Sequence, residues 1–338
     1  MAITSKTHSD NSFDLLRLLA SIAVLLSHQC ILLGHPEPML FGAKTLGFFG
    51  VAIFFILSGW LIALSWERQP DVKMYLIKRV RRIFPALWCA IFLTIFGLGV
   101  AFTNLSIKEY FTQSETWLYS LNSVLWIHHT LPGVFKNNPL PASVNGSLWT
   151  LPVEFLLYLS VMLAGLMGLL RHRAFIFLGL LTSAILPGLA QFINSPNLST
   201  ALECFFIFWW GVTLGISKRE RARVKHGAIF VLIASLVLLT LFLKDSGLAY
   251  VIITAFLLVY IAEKSNFGSV ITKKIGDLSY GIYIFAFPVQ QMIINYFGST
   301  RFSFLSYFLI SLFFTTVIAV ASWHLIEKRM IRSRYVSS

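Results

Sequence analysis

Arg17 and His28 stand eleven residues apart in one unbroken apolar stretch, FDLLRLLASIAVLLSHQCILL, residues 13–33. Either side chain is costly in hydrocarbon and belongs where it faces protein or a wet cavity. Eleven steps of about 100° make three turns plus about 20°. Both residues therefore fall on one helix face, separated by roughly 16 Å of rise. An imidazole at that depth can accept a hydroxyl proton near neutral pH. A lone histidine can equally hydrogen-bond a neighbouring helix. Glu154, in GSLWTLPVEF, falls at a depth similar to that of His28. It can orient an imidazole and stabilise its charged form, or it can form an interhelical hydrogen bond.

A second group of candidates is cationic. KRVRRIFPALW carries Arg79, Arg81 and Arg82 at the expected inner end of a span. Arg79 and Arg82 are three apart and share a helix face. With Arg17 they suit a phosphorylated ligand, because a guanidinium binds phosphate through paired donors. Topology alone accounts for Arg81. A third group is polar and uncharged: Ser58 in GVAIFFILSGWLI, Trp149 in GSLWTLP, and Tyr280, Tyr283, Gln290 and Gln291 in GDLSYGIYIFAFPVQQ. Pro288 should bend its helix and free a backbone carbonyl. These side chains can line a cavity, or bond across helices. The pattern is of two layers, arginines inside and His28, Glu154 and the glutamines outside. The gap between them suits a long thin acyl carrier such as the pantetheine arm of coenzyme A. Cys30, Cys89 and Cys204 form no CxxC or Cys/His pair, so they read as packed residues and no metal site is expected.

The elements that must position these groups follow from composition. Of 338 residues, 57% are hydrophobic and 12% charged, with a mean hydropathy of +0.76. A soluble domain carries about 25% charged residues. The expectation is an all-α, polytopic membrane helical bundle of about ten spans, a single domain over residues 1–338. The spans fall near 13–33, 46–66, 83–103, 147–170, 174–193, 200–217, 227–243, 247–263, 276–297 and 304–326. On that scheme, with both termini cytoplasmic, 21 Lys and Arg lie on the inner side and 5 on the outer. That asymmetry is the positive-inside signature, and it explains the net charge of +13 without nucleic acid. Residues 1–12 and 327–338 become cytoplasmic tails, and 104–146 the long outer loop. No cleavable signal peptide is expected.

The motifs, taken in order, resemble the acyltransferase-3 family of integral membrane acyltransferases. FDLLRLLASIAVLLSH is similar to its first helix, with Arg, ten residues, then His. GVAIFFILSGWLI, RVRRIFP, GSLWTLPVE, LSYGIYIFAFPVQQ and SWHLIEKRM resemble its later motifs. The resemblance covers nearly the whole chain. It implies transfer of an acyl group, usually acetyl, from cytoplasmic acyl-CoA to a hydroxyl of a surface glycan or lipid-linked sugar. The setting it implies is the bacterial inner membrane. It implies His28 as catalytic base, Arg17 as essential to the same site, and Arg79 and Arg82 near the acyl donor. Acetyl-CoA would be a co-substrate, with no permanently bound cofactor. The chain departs from the pattern at Ala52, Ala286 and Arg329, where an acid, a His and a Pro are common. With Ala286 there, that segment supplies no second imidazole, and a mechanism with two histidines is not expected. The competing class is a transporter or flippase, which midplane polar groups and a proline-bent helix also suit.

Overall fold

The computed structural model describes residues 12–40, 42, 44–141, 143–171, 196–217 and 246–332, and these are mostly helical. Five helical runs among them are long and apolar enough to cross a membrane: Phe13–Leu32, Leu46–Arg68, Val72–Phe102, Gly146–Leu166 and Phe304–Ile331. The expected spans 174–193 and 227–243 lie outside the described residues. In chain order the principal elements are α1 (Phe13–Leu32), strands β1 (Met39–Leu40) and β2 (Lys44–Thr45), α2 (Leu46–Arg68) and α3 (Val72–Phe92). A π turn, Leu93–Gly99, leads from α3 into the short α4 (Val100–Phe102), followed by α5 (Ile107–Thr112) and α6 (Ser114–Leu118). Then come α7 (Thr150–Leu166), α8 (Pro196–Ser217), α9 (Ser246–Lys264), α10 (Phe267–Ile275), α11 (Ser279–Phe297) and α12 (Phe304–Ser322).

The expected third span, 83–103, forms the later part of a longer helical run, Val72–Phe102, in which α3 begins at Val72. Its first turns are amphipathic and were invisible to a hydropathy criterion. Asp71 starts them, because its carboxylate accepts from the Met74 amide at 2.6 Å, an N-cap contact. Pro85 is accommodated inside the helix. Arg79 and Arg82 therefore sit within α3, about two turns past its start.

The chain forms two compact units, and the division falls within α1, between Arg17 and Leu18. The first comprises residues 1–17, 39–77 and 153–270. Its main contact is α2 on α8, and glycines make it close. A Cβ at Gly59 would lie 2.0 Å from the Phe208 carbonyl oxygen, and one at Gly211 2.1 Å from that of Ile56. Small residues of this kind let membrane helices touch backbone to backbone. The β1–β2 hairpin, with Met39 opposite Thr45, holds Lys44 against Glu203 of α8 at 2.9 Å. Ser12 anchors the start of α1: its amide donates to the Ala262 carbonyl at 2.9 Å, and its hydroxyl accepts from the Gly268 amide at 3.0 Å.

The second unit comprises residues 18–38, 78–152 and 271–338. Helix α11 is buried along nearly its whole length and packs on α12, with Gly281 seated on Ala319. Two apolar clusters run beside α1. One joins Leu25 to Leu278, Ile282, Ala286 and Ala319, and the other joins Leu32 to Phe287, Val289, Ile293, Ile294 and Tyr307. The segment expected as the long outer loop is structured. Tyr110 of α5 lies over Gly99, where a Cβ would meet its hydroxyl at 2.0 Å, and that hydroxyl donates to the Ile95 carbonyl at 3.0 Å. Burial pushes the Tyr110 phenol up to about 12.

Candidate active site

The second unit builds the surroundings of His28 from the proline upward. Pro288 has no N–H, so the Ile284 carbonyl one turn earlier has no helical donor. Asn145 supplies one, with Nδ2 donating to the Ile284 oxygen at 2.8 Å. The same residue caps the short 3-10 turn Gly146–Trp149, its Oδ1 accepting from the Ser147 amide at 3.0 Å. Tyr283 makes a second tie. Its hydroxyl donates to the Ser147 carbonyl at 3.0 Å and shares a hydrogen bond with Thr150 Oγ1 at 2.7 Å. Trp149, half-buried, ends the turn.

Between these ties Gly146 packs closely against the ring of Phe287. The imidazole of His28 meets the same ring edge to face, with centroids 5.1 Å apart and planes at 76°. Nδ1 of His28 is buried and has no hydrogen-bond partner among the described residues.

The glutamines expected to line a cavity are fully buried, and their amides hold elements together. Gln290 Nε2 donates to the Leu25 carbonyl at 2.8 Å and to Gln29 Oε1 at 2.9 Å. Leu25 and Gln29 flank His28 on α1. Gln291 Nε2 donates to the Leu140 and Ser143 carbonyls, at 3.0 and 2.7 Å, while its Oε1 accepts from Asn138 Nδ2 at 2.6 Å. The segment around Asn138–Ser143 is thereby fastened to α11.

Further along the unit, Arg82 pairs with Asp277 at 2.7 Å and stands 5.6 Å from the Tyr280 ring centroid, within cation–π range. The Tyr280 hydroxyl donates to the Ile83 carbonyl at 2.8 Å. Asp277 also starts α11, its other oxygen accepting from the Ser279 hydroxyl at 2.5 Å and the Ser279 amide at 3.3 Å. Arg79 lies one turn before Arg82 and is half-buried.

The first unit holds the remaining candidates. Glu154 Oε1 accepts from Ser58 Oγ at 3.2 Å and from the Tyr158 hydroxyl. Oε2 has no partner among the described residues. Arg17 lies 3.8 Å from Asp14 on the same helix. Among the described residues no group of three His, Cys, Asp or Glu side chains could hold a metal ion.

Sequence reasoning passed over Asn145, Phe287 and Asp277. An Asn-Gly pair is a turn signal, and Asp two residues before Ser at a helix start is a capping pattern. Those were the available clues for two of the three. Phe287 carried none, being one aromatic among 31 phenylalanines.

Comparison with known proteins adds to this geometry. A family model described as "Acyltransferase domain" matches residues 10–324. An O-acetyl transferase of Shigella phage Sf6 is 34% identical over 332 residues, covering 96% of this chain and 97% of the relative. Nodulation protein 10 of Rhizobium leguminosarum bv. viciae is 28% identical, with 98% and 96% covered. The peptidoglycan O-acetyltransferase OatA of Listeria monocytogenes is 27% identical over 82% of this chain, which spans 49% of that relative's length. No solved structure matches.

Proposed function

The chain belongs to this acyltransferase family, and on that premise we propose that it moves an acetyl group from cytoplasmic acetyl-CoA to a hydroxyl of a cell-surface glycan or lipid-linked sugar. It is an O-acetyltransferase, and its apolar helices make it a membrane protein. The proposal extends to ten spans in a bacterial inner membrane with both termini cytoplasmic, supported by the 21-to-5 split of Lys and Arg. In it, His28 Nε2 takes the acceptor hydroxyl proton as the oxygen attacks the thioester carbon. The C–S bond breaks, coenzyme A leaves as thiolate, and the proton returns to that sulfur. Arg79 and Arg82 hold the donor's phosphates, and Glu154 and Arg17 are required for the same reaction.

One observation carries this reading. His28 is a histidine within a span-length apolar helix, with Nδ1 buried and unpartnered among the described residues and its ring fixed by packing. A histidine whose task was to tie two helices together would have its buried nitrogen hydrogen-bonded. The transporter alternative rests on midplane polar groups and a proline-bent helix; the carbonyl that Pro288 frees is taken by Asn145, and Gln290 and Gln291 are spent on the Leu25, Leu140 and Ser143 carbonyls.

The test uses protein in lipid discs with radiolabelled acetyl-CoA and a pool of surface glycans. Label should enter glycan with the native chain. His28→Ala should lose at least a hundredfold, in line with the contribution of a general base, about 10²–10⁴. Glu154→Gln should lose less. Full transfer by His28→Ala would sink the mechanism.

A further inference from the structure

A catalytic histidine is ordinarily held by a hydrogen bond to the nitrogen that does not react. His28 lacks one among the described residues, since Nδ1 is buried without a partner. The Phe287 ring, edge to face with the imidazole at 5.1 Å, is the orienting contact that the structure does supply. Phe287 is itself buried, and Gly146 packs against its ring. A Cβ built there would stand 2.7, 3.0 and 3.3 Å from Cε2, Cζ and Cδ2 of the ring. Gly146 is absent from the residues of positive φ, so its backbone is one that alanine can adopt. Glycine is required there for closeness and not for conformation. What keeps Gly146 in place is Asn145, bound to the carbonyl that Pro288 leaves open.

We propose that Asn145, Gly146 and Phe287 form a steric clamp that positions the His28 imidazole for proton transfer. This rests on the reading of His28 as the base. The line of force runs from the Ile284 carbonyl through Asn145 and Gly146 to the Phe287 ring, and from that ring to His28. Asn145, Gly146 and Phe287 are positioning residues. They act through the imidazole and touch neither donor nor acceptor.

The scale of the effect follows from the contact distances. Carbon atoms rest about 3.5–4.0 Å apart, so an alanine at 146 displaces the ring by about 1 Å. A misplacement of about 1 Å at a reacting group can cost about 10²-fold in rate. Donor binding does not pass through the clamp.

The experiment compares native protein, His28→Ala, Gly146→Ala, Phe287→Leu and Gly146→Ala/Phe287→Leu in lipid discs. Initial rates against acetyl-CoA are read beside thermal unfolding. Gly146→Ala should lower kcat about 10- to 100-fold, with KM for acetyl-CoA within about twofold of native. In the double variant the smaller Leu leaves room for the new methyl. It should therefore be no slower than Phe287→Leu alone, with KM for acetyl-CoA still within about twofold of native, a loss confined to kcat that a merely structural role would not produce. Native kcat in Gly146→Ala, or losses that multiply in the double variant, would overturn the clamp. If Gly146→Ala does not fold, the double variant must; its failure to do so overturns the clamp as well. Full activity in His28→Ala would instead overturn the underlying assignment of the base, and an inactive His28→Ala beside an active Gly146→Ala would overturn the clamp alone.

Discussion

Replacing Asp277 by Asn separates two jobs that one carboxylate performs. The amide keeps an oxygen for the Ser279 amide and hydroxyl at the start of α11, and loses the charge that faces Arg82. The Arg82 and Asp277 side chains are 25% and 12% exposed, so the pair lies between two regimes. Exposed pairs are worth about 0–1 kcal/mol, and breaking a buried pair by removing one partner costs about 3–5 kcal/mol. An intermediate loss of about 1–3 kcal/mol follows for Asp277→Asn. Asp277→Ala should lose about 1 kcal/mol more, the cost of a helix cap. The guanidinium, less one of its contacts, regains part of a rotamer freedom worth at most about 2 kcal/mol. If Arg82 meets the donor, that entropy must be removed again on binding, and KM for acetyl-CoA rises by up to about 30-fold with kcat unchanged. Thermal unfolding in lipid discs and initial rates against acetyl-CoA measure both effects. An unchanged KM in Asp277→Asn would refute the idea that Asp277 sets Arg82 for the donor. Equal stability of the Asn and Ala variants would refute the cap.

Two further outcomes follow from the packing. Gly211→Ala places a methyl 2.1 Å from the backbone oxygen of Ile56, which cannot yield as a side chain would, so α2 and α8 should separate at a cost of about 1–3 kcal/mol. Gly97→Ala, with nothing within 4 Å of the new Cβ, is the control and should leave the melting temperature unchanged or raised. Tyr110 has its phenol pushed from 10.0 up to about 12 by burial. Because the folded value is the raised one, its contribution to stability is complete below pH 10 and is lost as pH rises through 12. Tyr110→Phe should therefore flatten the decline of stability between pH 10 and 12, and an unaltered slope in unfolding titrations would refute that origin.

Local chemistry was legible in the sequence, and long-range pairing was not. The span lengths of α1 and α2 follow from hydropathy and bilayer thickness, and α1 matches its expected bounds to within one residue. The carbonyl freed by Pro288 was foreseen from proline geometry. Its partner was not, because Asn145 lies 139 residues earlier and no local rule connects them. The start of α3 was missed for a different reason: an amphipathic turn that begins with an Asp cap does not register as membrane-buried. The glutamines were expected at a cavity because they cluster at one depth. Depth alone does not say which way a side chain turns, and theirs turn to the Leu25, Leu140 and Ser143 carbonyls.

His28 and the phenylalanine beside it are separated by 259 residues of chain. At a synthesis rate of about 5–20 residues per second, the first helix waits on the order of 10 to 50 s before that ring is made. Through that interval the imidazole stands in the nascent chain without its neighbour. Any stop codon or cleavage before residue 287 leaves an inserted protein with its histidine present and unsupported. Assembly of the surroundings of His28 is thus tied to completion of translation. A ribosome-stalled series sampled by crosslinking at residue 28 would show the surroundings of that position change only after α11 has emerged.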